Sequence, residues 1–336
     1  LRKPNKPDSS AVKAYRVISL LNCLGKVVEK VAATALSRIC EEKELLHPGQ
    51  FGCRKQRSAI DAVAKLIYTT EKAWDKKKHL GALFLDVKGA FDYVAKNRLL
   101  SRMKELNIPS YLIRWTNSFL SERRVQLVID GFTCPNREII TGVPQGSPVS
   151  PILFIIYLSG VFNSIEAKVP EITPLSFADD IALLAPGKTI EEIQRSLTIA
   201  GEEAILWGMA NNVIFDIDKT EAVLFTKKRK IRRNIRRYKL EIQGQTIPFN
   251  QEATRWLGIW LDIGLELKEH YKIRLQKAQQ TENRLRSISS TYGLAAGLVR
   301  RVQIAAVQSV ALYGAELWWK GQKQAEEDLQ KLINRQ

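Results

Sequence analysis

Two kinds of apolar pattern alternate along this chain of 336 residues. Apolar residues that recur every three or four positions are typical of amphipathic helices, and short alternating or continuous apolar runs are typical of strands. The first pattern predicts helices over 22–46, 58–75, 96–106, 110–121, 151–165 and 190–211, and from 266 to the end with a break near Gly293 and Gly297. The second predicts strands over 81–87, 124–129, 132–140, 213–217, 221–226, 239–243, 246–249 and 255–261.

Local signals support several of these elements. Ser58-Ala-Ile-Asp61 has the side chains of a capping box at a helix start. Asp130-Gly131, between two strand patterns, predicts a hairpin turn. One face of the first helix is formed by Val27, Val31, Ala35 and Ile39. Because helices and strands are intermixed and most neighbouring strands are joined as hairpins, the predicted fold class is α+β with an antiparallel sheet, followed by an all-helical C-terminal part.

The segment Leu175-Ser-Phe-Ala-Asp-Asp-Ile-Ala-Leu-Leu184 places two adjacent carboxylates, Asp179 and Asp180, between two short apolar arms. Ionised carboxylates beside buried strands need a cationic partner, although aspartate is also common in ordinary polar turns. A third aspartate, Asp86, closes the buried run 81–87. Three aspartates on adjacent strand ends can hold two Mg²⁺ ions, which prefer oxygen ligands. Two such ions can stabilise both the attacking and the leaving oxygen of a phosphoryl transfer.

The charge of the chain is strongly positive, with 52 Lys and Arg against 35 Asp and Glu, a net charge of +17 and a pI near 9.7. This excess points to a polyanionic partner, and nucleic acid is favoured over a membrane surface. Nine of the thirteen residues in 227–239 are basic and none is acidic. This strip is either a phosphate-contacting surface or a solvated insertion between strands.

Composition also bears on compartment and cofactors. No run reaches the roughly 18 uncharged apolar residues of a membrane span, so we expect a soluble body without a membrane partner. The four cysteines lack C-x-x-C spacing and are accompanied by three histidines, so zinc and a disulfide framework are both disfavoured. Buried, reduced thiols in an intracellular protein are expected instead. The chain has no signal-peptide pattern, begins at Leu and stops inside a charged helical pattern, so we expect a piece of a longer protein.

Seven short motifs occur in a fixed order. They are Tyr15-Arg-Val-Ile-Ser-Leu-Leu-Asn22, Gln50-Phe-Gly-Cys-Arg-Lys-Gln-Arg-Ser58, Phe84-Leu-Asp-Val-Lys-Gly-Ala-Phe-Asp92, Gly142-Val-Pro-Gln-Gly-Ser-Pro-Val-Ser-Pro151, Phe177-Ala-Asp-Asp180, Asp218-Lys-Thr-Glu221 and Trp256-Leu-Gly-Ile-Trp-Leu-Asp262. Each motif alone is a weak signal, but the ordered set resembles the reverse transcriptase of non-LTR (LINE-like) retrotransposons. The resemblance covers roughly residues 1–265.

The resemblance implies a right-hand polymerase architecture. Fingers are expected in 1–80, a palm with an antiparallel sheet and inserted finger elements in 81–265, and a helical thumb with the start of a C-terminal connection in 266–336. The implied activity is RNA-directed DNA synthesis, in which a primer 3′-OH is extended on an RNA template by two-Mg²⁺ nucleotidyl transfer. The implied partners are an RNA template, a DNA primer or target, dNTPs, and other domains of a larger polyprotein, with an endonuclease upstream and in some cases an RNase H downstream. The implied locations are the cytoplasm, as a ribonucleoprotein, and the nucleus, at the target site.

The resemblance also assigns catalytic roles by position. The implied metal-binding set is Asp86, Val87, Asp179 and Asp180, with Mg²⁺ as the ion and Mn²⁺ as the alternative. Asp86 and Asp179 are expected to be the principal ligands, with Asp180 in support. Lys219 resembles the lysine near the pyrophosphate leaving group, where it serves as general acid or charge stabiliser, unless it is an ordinary turn lysine. Asp92 is interpreted as structural.

A second group of residues is assigned to nucleotide and template. Phe91 matches a bulky gate whose ring leaves no room for a ribose 2′-OH, and its alternative is a core aromatic. Gln145 matches a residue that contacts the incoming nucleotide and template, and Gly146 allows close backbone approach. Basic positions expected to meet phosphates, or to be surface arginines, are Arg16, Arg54 and Arg57. Candidate nucleic-acid contacts in the basic strip are Lys227, Lys228, Arg229, Lys230, Arg232 and Arg233.

The chain departs from the family pattern at Val17, where Pro is usual, and at Cys53, where an aromatic is common. Both changes bear on finger packing and not on the carboxylates. Three alternatives remain open at this point. An RNA-dependent RNA polymerase shares the palm but needs a polar residue in place of Phe91. A group II intron or retron reverse transcriptase shares the chemistry. A non-catalytic nucleic-acid-binding remnant would keep the positive charge.

Overall fold

The computed structural model describes residues 14–15, 17–129, 131–285 and 295–334. Its α-helices are α1 (Cys23–Glu42), α2 (Ala59–Asp75), α3 (Lys96–Glu105), α4 (Ser110–Phe119), α5 (Ser150–Leu158), α6 (Gly160–Lys168), α7 (Ile190–Asn211), α8 (Arg229–Arg233), α9 (Lys268–Leu285), α10 (Ala296–Gln303), α11 (Ser309–Ala311), α12 (Ala315–Trp318) and α13 (Lys323–Asn334). Its strands are β1 (His79–Asp86), β2 (Arg123–Val125), β3 (Val128–Ile129), β4 (Phe132–Thr133), β5 (Arg137–Ile139), β6 (Thr173–Phe177), β7 (Asp180–Gly187), β8 (Glu221–Phe225), β9 (Lys239–Ile242), β10 (Gln245–Pro248), β11 (Thr254–Trp256) and β12 (Ile259–Leu261).

The central sheet has four antiparallel strands in the order β6-β7-β1-β8. Side chains of β1 alternate between two cores. Leu83 and Leu85 join the larger core on the side of α3–α7, and Ala82 and Phe84 join a second core with α2, β11 and β12. Because both faces of β1 are covered, its sequence is a continuous apolar run and not the half-polar alternation of a sheet with one wet face.

Local sequence accounts for the helix starts at the N-terminal end. The predicted capping box of α2 is confirmed, since the Asp61 amide donates to Ser58 Oγ at 3.1 Å and the Ser58 amide donates to Asp61 Oδ2 at 2.7 Å. The predicted apolar face of α1 is buried at its far end, at Ile39, but Val27 and Val31 are 62% and 66% exposed.

The C-terminal helices form a small core of their own, and they attach to the rest through a buried histidine and through Trp318 and Ala325, which join the second core. The small core consists of Ala278, Val307, Ala311 and Leu332. His270 on α9 lies 3.0 Å from the Tyr313 carbonyl through Nε2, and its Nδ1 lies 3.3 Å from the Trp260 amide nitrogen on β12. The helical pattern predicted from 266 onward is confirmed for the part of this region that the structure describes.

Two predicted strands need correction, and three residues named in the sequence analysis fall outside the described residues. Residues 213–217 form a single bridge at Phe215, followed by a 3₁₀ turn over Ile217–Lys219, and not a strand. Residues 255–261 are not one strand but the hairpin β11–β12, because Leu257 and Gly258 both take positive φ (48° and 82°), which reverses the chain. The break predicted near Gly293 and Gly297 is confirmed in its described part, since Ala295 is extended (φ −61°, ψ 135°) and α10 begins at Ala296. Gly293, Arg16 and Asp130 lie outside the described residues.

The prediction of buried thiols is wrong for three of the four cysteines. Cys40 is fully buried, and burial raises the pKa of its thiol to about 12. Cys23, Cys53 and Cys134 are exposed because they lie at a helix start and in loops that the two cores do not cover. None of the four is in a disulfide.

One described helical stretch, Ser150–Lys168, is long and apolar enough to cross a membrane by length and composition alone. It comprises α5 and α6, and 67% of its most apolar window is buried inside the fold. Leu153, Ile156 and Phe162 belong to the larger core. The apolar residues of α5 and α6 are therefore buried as in the core helices of a globular domain.

Candidate active site

Three carboxylates meet at one end of the central sheet. Asp86, the last residue of β1, is the register partner of Asp180, the first residue of β7. Directly paired residues in antiparallel strands have Cα atoms about 4.5–5.5 Å apart. Phe177 also pairs with Asp180, so Ala178 and Asp179 form a two-residue turn, with Ala178 at φ 56°. The predicted strand–Asp-Asp–strand arrangement is therefore present.

These carboxylates repel one another. Burial, and then the negative charges of Asp179 and Asp86, together raise the pKa of Asp180 to about 6. Although Cys53 is an exposed residue, partial desolvation of its thiol and then the charge of Asp179 raise the pKa of that thiol. The three carboxylates thus bring more negative charge to the site than nearby cations neutralise. A bound cation would reduce this repulsion.

Lys219 already supplies one positive charge. Its Nζ lies 2.6 Å from Asp86 Oδ2 and 3.1 Å from Asp216 Oδ2. The hydrogen bond to Asp86, and then that to Asp216, raises the pKa of Lys219. The amide of Asp216 donates to the Asp86 carbonyl at 2.9 Å, which fixes this segment beside the end of β1. Asp216 was not identified from the sequence, although its i, i+3 spacing to Lys219 was a usable signal.

Val87, in the predicted metal-binding set, continues the line of β1. It forms an isolated bridge to Phe215, flanked by hydrogen bonds from the Lys88 amide to the Ile214 carbonyl and from Asp216 to Asp86. Its side chain is 5% exposed and packs in the larger core. Any metal contact of Val87 would therefore involve its main chain.

The Gln145 loop is held against the end of the segment that follows β1. Gln145 Nε2 donates to Asp92 Oδ1 at 3.0 Å, so Asp92, interpreted as structural, orients the predicted nucleotide contact. The Ser19 amide donates to the Gln145 carbonyl at 2.7 Å. Gly146 has φ 119°, and a Cβ there would lie 2.9 Å from the Ser19 carbonyl oxygen. Glycine is therefore required by local packing as well as by backbone conformation.

Phe91 packs against the larger core but keeps part of its side chain exposed to solvent. Its ring stacks on the fully buried Phe154 with centroids 5.3 Å apart, yet Phe91 itself is only partly buried. Its carbonyl accepts from the Val143 amide at 2.7 Å, which joins it to the Gln145 loop. Both interpretations of this residue fit the geometry, and the gate role stays a prediction.

The predicted finger loop lies directly on β6. The Phe51 amide donates to the Ser176 carbonyl and the Ser176 amide donates to Gly49, both at 2.8 Å. A Cβ on Gly52 would lie 2.2 Å from the Ala178 nitrogen, so only glycine permits this approach to the Asp-Asp turn. The loop that carries the two predicted arginines is thus fixed within reach of the carboxylates.

The two described arginines of this loop differ in accessibility. Arg54 is paired through two hydrogen bonds with Glu41 (2.7 and 2.5 Å), donates to two carbonyls, and has a side chain only 5% exposed. This arrangement makes it a brace of the loop. Arg57 donates to the Pro48 carbonyl at 2.5 Å, lies over the Phe51 ring and stays partly exposed. Of the two, Arg57 is the one placed to meet a phosphate.

The predicted basic strip lies at the other end of the sheet. It follows β8, whose last residue Phe225 pairs with Leu80 near the start of β1, whereas Asp86 is at the end of β1. Arg232 donates a hydrogen bond to the Thr226 carbonyl and forms an ion pair with Glu266. The remaining predicted contacts in the strip are exposed; they are Lys227, Lys228, Arg229, Lys230 and Arg233. The strip is therefore not part of the carboxylate site.

The donor chemistry of the carboxylate site fits a hard divalent cation. All three aspartates offer oxygen ligands, which Mg²⁺ prefers. Asp86 is 30% exposed in its side chain, and the pKa of Asp180 is raised by burial and then by the charges of the two neighbouring aspartates. Within the described ranges, no set of three or more His, Cys, Asp or Glu side chains is arranged to hold a metal ion as it stands. Lys219 pairs with Asp86 in this conformation, so binding of a cation requires that contact to open.

Replacing Asp180 by Asn should stabilise the metal-free protein at neutral pH. The folded-state pKa of Asp180 lies near 6 and above its ordinary value, so its ionisation costs stability as pH rises from about 4 to 7. Allowing for solvent screening, we expect Asp180→Asn to gain about 1 kcal/mol at pH 7.5, or about 2–4 °C in melting temperature. The gain should fade by pH 4.5. Glu41→Gln is the contrasting control, because Arg54 lowers the pKa of Glu41 and its loss should destabilise at neutral pH.

The fold and the site together define a polymerase palm: an antiparallel sheet with catalytic-type carboxylates at the end of one strand and in the turn of the adjacent hairpin. The chain belongs to the reverse transcriptase (RNA-dependent DNA polymerase) family, whose model matches residues 1–261. The family resemblance and the right-hand α+β fold class predicted from sequence are thereby confirmed. Roles of individual residues and the boundaries of fingers, palm and thumb stay predictions.

Curated relatives are polymerases of mobile elements. The chain is 31% identical over 342 residues to the probable RNA-directed DNA polymerase from transposon BS of Drosophila melanogaster, covering 100% of this chain and 37% of that protein. It is 28% identical over 274 residues to the RNA-directed DNA polymerase from mobile element jockey of the same organism, covering 81% and 29%. The chain spans about a third of the length of these relatives.

A more distant likeness links the chain to telomerase. The structure of apo telomerase from Candida tropicalis aligns with 11% identity and a TM-score of 0.49, covering 93% of this chain and 53% of that one. The family assignment does not depend on this likeness.

Proposed function

We propose that this chain is the polymerase part of a larger non-LTR retrotransposon protein and that it extends a DNA primer 3′-OH on an RNA template. The observation that carries the proposal is the register of β1 and β7, which puts Asp86 beside Asp180 with Asp179 in the adjoining turn. The family match supports the same chemistry. Nucleic acid as a partner agrees with the net charge of +17.

In this proposal the metal-binding residues are Asp86, Asp179 and Asp180, with Val87 contributing from its main chain. Mg²⁺ bound there, as a pair of ions, supplies charge neutralisation for the attacking and leaving oxygens. The chain's own contribution is then positioning in a fixed field. Lys219 leaves Asp86 and turns to the pyrophosphate oxygens, where it neutralises charge or donates a proton.

The nucleotide is held by the residues beside this site. Gln145, oriented by Asp92, contacts the incoming nucleotide and template, and the Gly146 backbone approaches closely. Arg57 binds the triphosphate, and Phe91 closes the space at the sugar 2′ position. The protein of which this chain is a part acts within the cell, as a ribonucleoprotein in the cytoplasm and at a target site in the nucleus, with further domains that cut the target.

The test is extension of a labelled DNA primer on an RNA template with dNTPs and Mg²⁺. We expect elongation that stops on addition of EDTA, and a rise in melting temperature on addition of Mg²⁺ alone, since a ligand of the folded state stabilises it. Absence of both effects would contradict the proposal. A chain that binds RNA but does not extend the primer and does not respond to Mg²⁺ is the non-catalytic remnant.

Replacing Lys219 by Ala should slow nucleotide incorporation by about 10²-fold, the usual size of a lost general acid or charge stabiliser, without weakening RNA binding. Lys219→Arg keeps the charge but alters proton donation, so partial activity with a shifted pH profile is expected. Single-turnover rates measure the effect, and RNA affinity is measured separately. Lys104→Ala, an exposed lysine on α3, is the matched control. An unchanged single-turnover rate in Lys219→Ala removes Lys219 from the mechanism.

A further inference from the structure

A basic surface lies at the end of the central sheet that is opposite the carboxylates. The sequence places three consecutive lysines, Lys76 to Lys78, just before β1, and the strip that begins at Lys227 just after β8. Because β1 and β8 are antiparallel and Leu80 pairs with Phe225, these two segments meet at the same sheet end. His79 Nδ1 lies 2.8 Å from Thr226 Oγ1, which joins them directly.

Aromatic rings are interleaved with these cations. Tyr68 on α2 is 56% exposed, and Lys65 Nζ and Lys72 Nζ lie 5.5 and 6.0 Å from its ring centroid. Lys227 Nζ lies 4.9 Å from the ring centroid of Trp74, whose indole nitrogen donates to the Phe225 carbonyl at 3.3 Å. Tyr68 follows Lys65 by three residues and precedes Lys72 by four, and these spacings put the three side chains on one face of α2.

We name this surface the distal track. It consists of Lys65, Tyr68, Lys72, Lys76, Lys77, Lys78, Lys227, Lys228, Arg229 and Lys230. The track has nine cations, and the acidic residues among them on α2 are Glu71 and Asp75, so the track is strongly positive. Among the described residues none of these nine cations is in an ion pair, so their charge stays available to a ligand.

The part of the track beside the start of β1 is remote from the catalytic site, and Tyr68 and Lys65 lie further along α2, toward the finger loop. Seven residue steps of β1 separate His79 from Asp86, which at about 3.3 Å per residue is about 23 Å. The same nucleotide therefore cannot touch both Lys76–Lys78 and the carboxylates. A ligand of the track is either a separate strand or a distant segment of the strand being copied.

We propose that the distal track binds single-stranded nucleic acid, away from the primer terminus. Cations spaced along a surface suit the phosphates of a strand, and exposed rings between them suit stacking of unpaired bases. A duplex has no free base faces for Tyr68. The inference rests on the proposed function only in taking nucleic acid as the ligand, and it needs no catalysis.

The experiment measures binding of a labelled 20-nucleotide poly(U) strand by anisotropy over a salt series, without dNTPs. It uses the full chain carrying Asp179→Asn, so that catalysis plays no part. Lys76→Gln/Lys77→Gln/Lys78→Gln should weaken binding about tenfold or more and reduce the salt slope by about 2, since each lost single-strand phosphate contact removes about 0.7. Tyr68→Ala should weaken binding about fivefold or more, and Tyr68→Phe should retain it.

The control triple variant removes the same charge elsewhere, at exposed lysines on other faces of the chain, Lys43, Lys104 and Lys168. Equal losses in the two triple variants would reduce the effect to overall charge and overturn the proposal. Unchanged binding in Tyr68→Ala, with an unchanged melting temperature, would also overturn it. Tighter binding of a 20-base-pair duplex than of poly(U), lost in the track variant, would assign the track to duplex instead. Failure of the wild-type chain to extend a primer contradicts the proposed function alone and leaves these binding results intact.

Discussion

Replacing Asp179 by Asn should reduce primer extension on an RNA template by about 10³-fold or more, while the protein stays folded. Asp179 lies in the turn next to Asp180, which is the register partner of Asp86, and the charge of Asp179 raises the pKa of both Asp180 and Cys53. Loss of one metal-binding carboxylate removes several kcal/mol of charge stabilisation from the transition state, and each 1.4 kcal/mol is tenfold in rate. The measurement is single-turnover incorporation of one dNTP.

The matched control is Asp218→Asn, which removes an exposed carboxylate from the same end of the sheet. Its rate should stay within about twofold of wild type, because surface changes of this kind are nearly neutral. Mg²⁺ titration followed by melting temperature gives a second readout, in which Asp179→Asn should respond less than wild type. A variant that extends the primer at the wild-type rate would falsify the assignment of Asp179 as a metal ligand.

Replacing Phe91 by Val should let the chain incorporate ribonucleotides, with discrimination against them falling about 10–100-fold. In the proposed gate role a 2′-OH would have to overlap the ring, and overpacking of this kind costs about 1–3 kcal/mol. The ring is only partly buried and is held in place by Phe154, so it is both accessible and rigid. The measurement is the ratio of kcat/KM for dUTP and UTP on the same primer and template.

Phe119→Val is the control for this change, because Phe119 is also a partly buried aromatic in a stacked pair, with Trp115 at 5.1 Å. Both variants should lose stability by a similar amount, and only Phe91→Val should change sugar selection. If discrimination is unchanged while stability falls, Phe91 is a core aromatic and no more. If the wild-type chain already uses UTP as well as dUTP, the RNA polymerase alternative replaces the gate.

Much of the architecture follows from local pattern. The helices predicted over 58–75 and 190–211 match α2 and α7 closely, and the capping box at Ser58 is confirmed. The hairpin around Asp179 is also confirmed. These features depend on neighbouring residues, whose periodicity and capping chemistry are written in the chain. Prediction failed at 213–217 and 255–261, where a short apolar run has the composition of a strand but turn conformations at a few residues end it.

The candidate site was partly visible in the same way. The sequence identified Asp86, Asp179, Asp180 and Lys219 through family motifs, but it did not identify Asp216 as the second partner of Lys219. It also grouped Arg54 with Arg57, whereas Arg54 is buried against Glu41 and Arg57 is not. Exposure of one arginine and burial of its near neighbour depend on the packing of α1 against the loop, which no local pattern records.

The sequence by itself determined the family, the positive charge and the residues able to carry the chemistry, because residue types and their spacing are local properties. The tertiary structure alone decided which of them meet. Strand register set Asp86 opposite Asp180, and the antiparallel pairing of β1 with β8 joined Lys76–Lys78 to the strip after Phe225, far from the carboxylates. Such contacts between distant segments arise from the burial of two cores against one sheet, and that burial is a property of the whole fold.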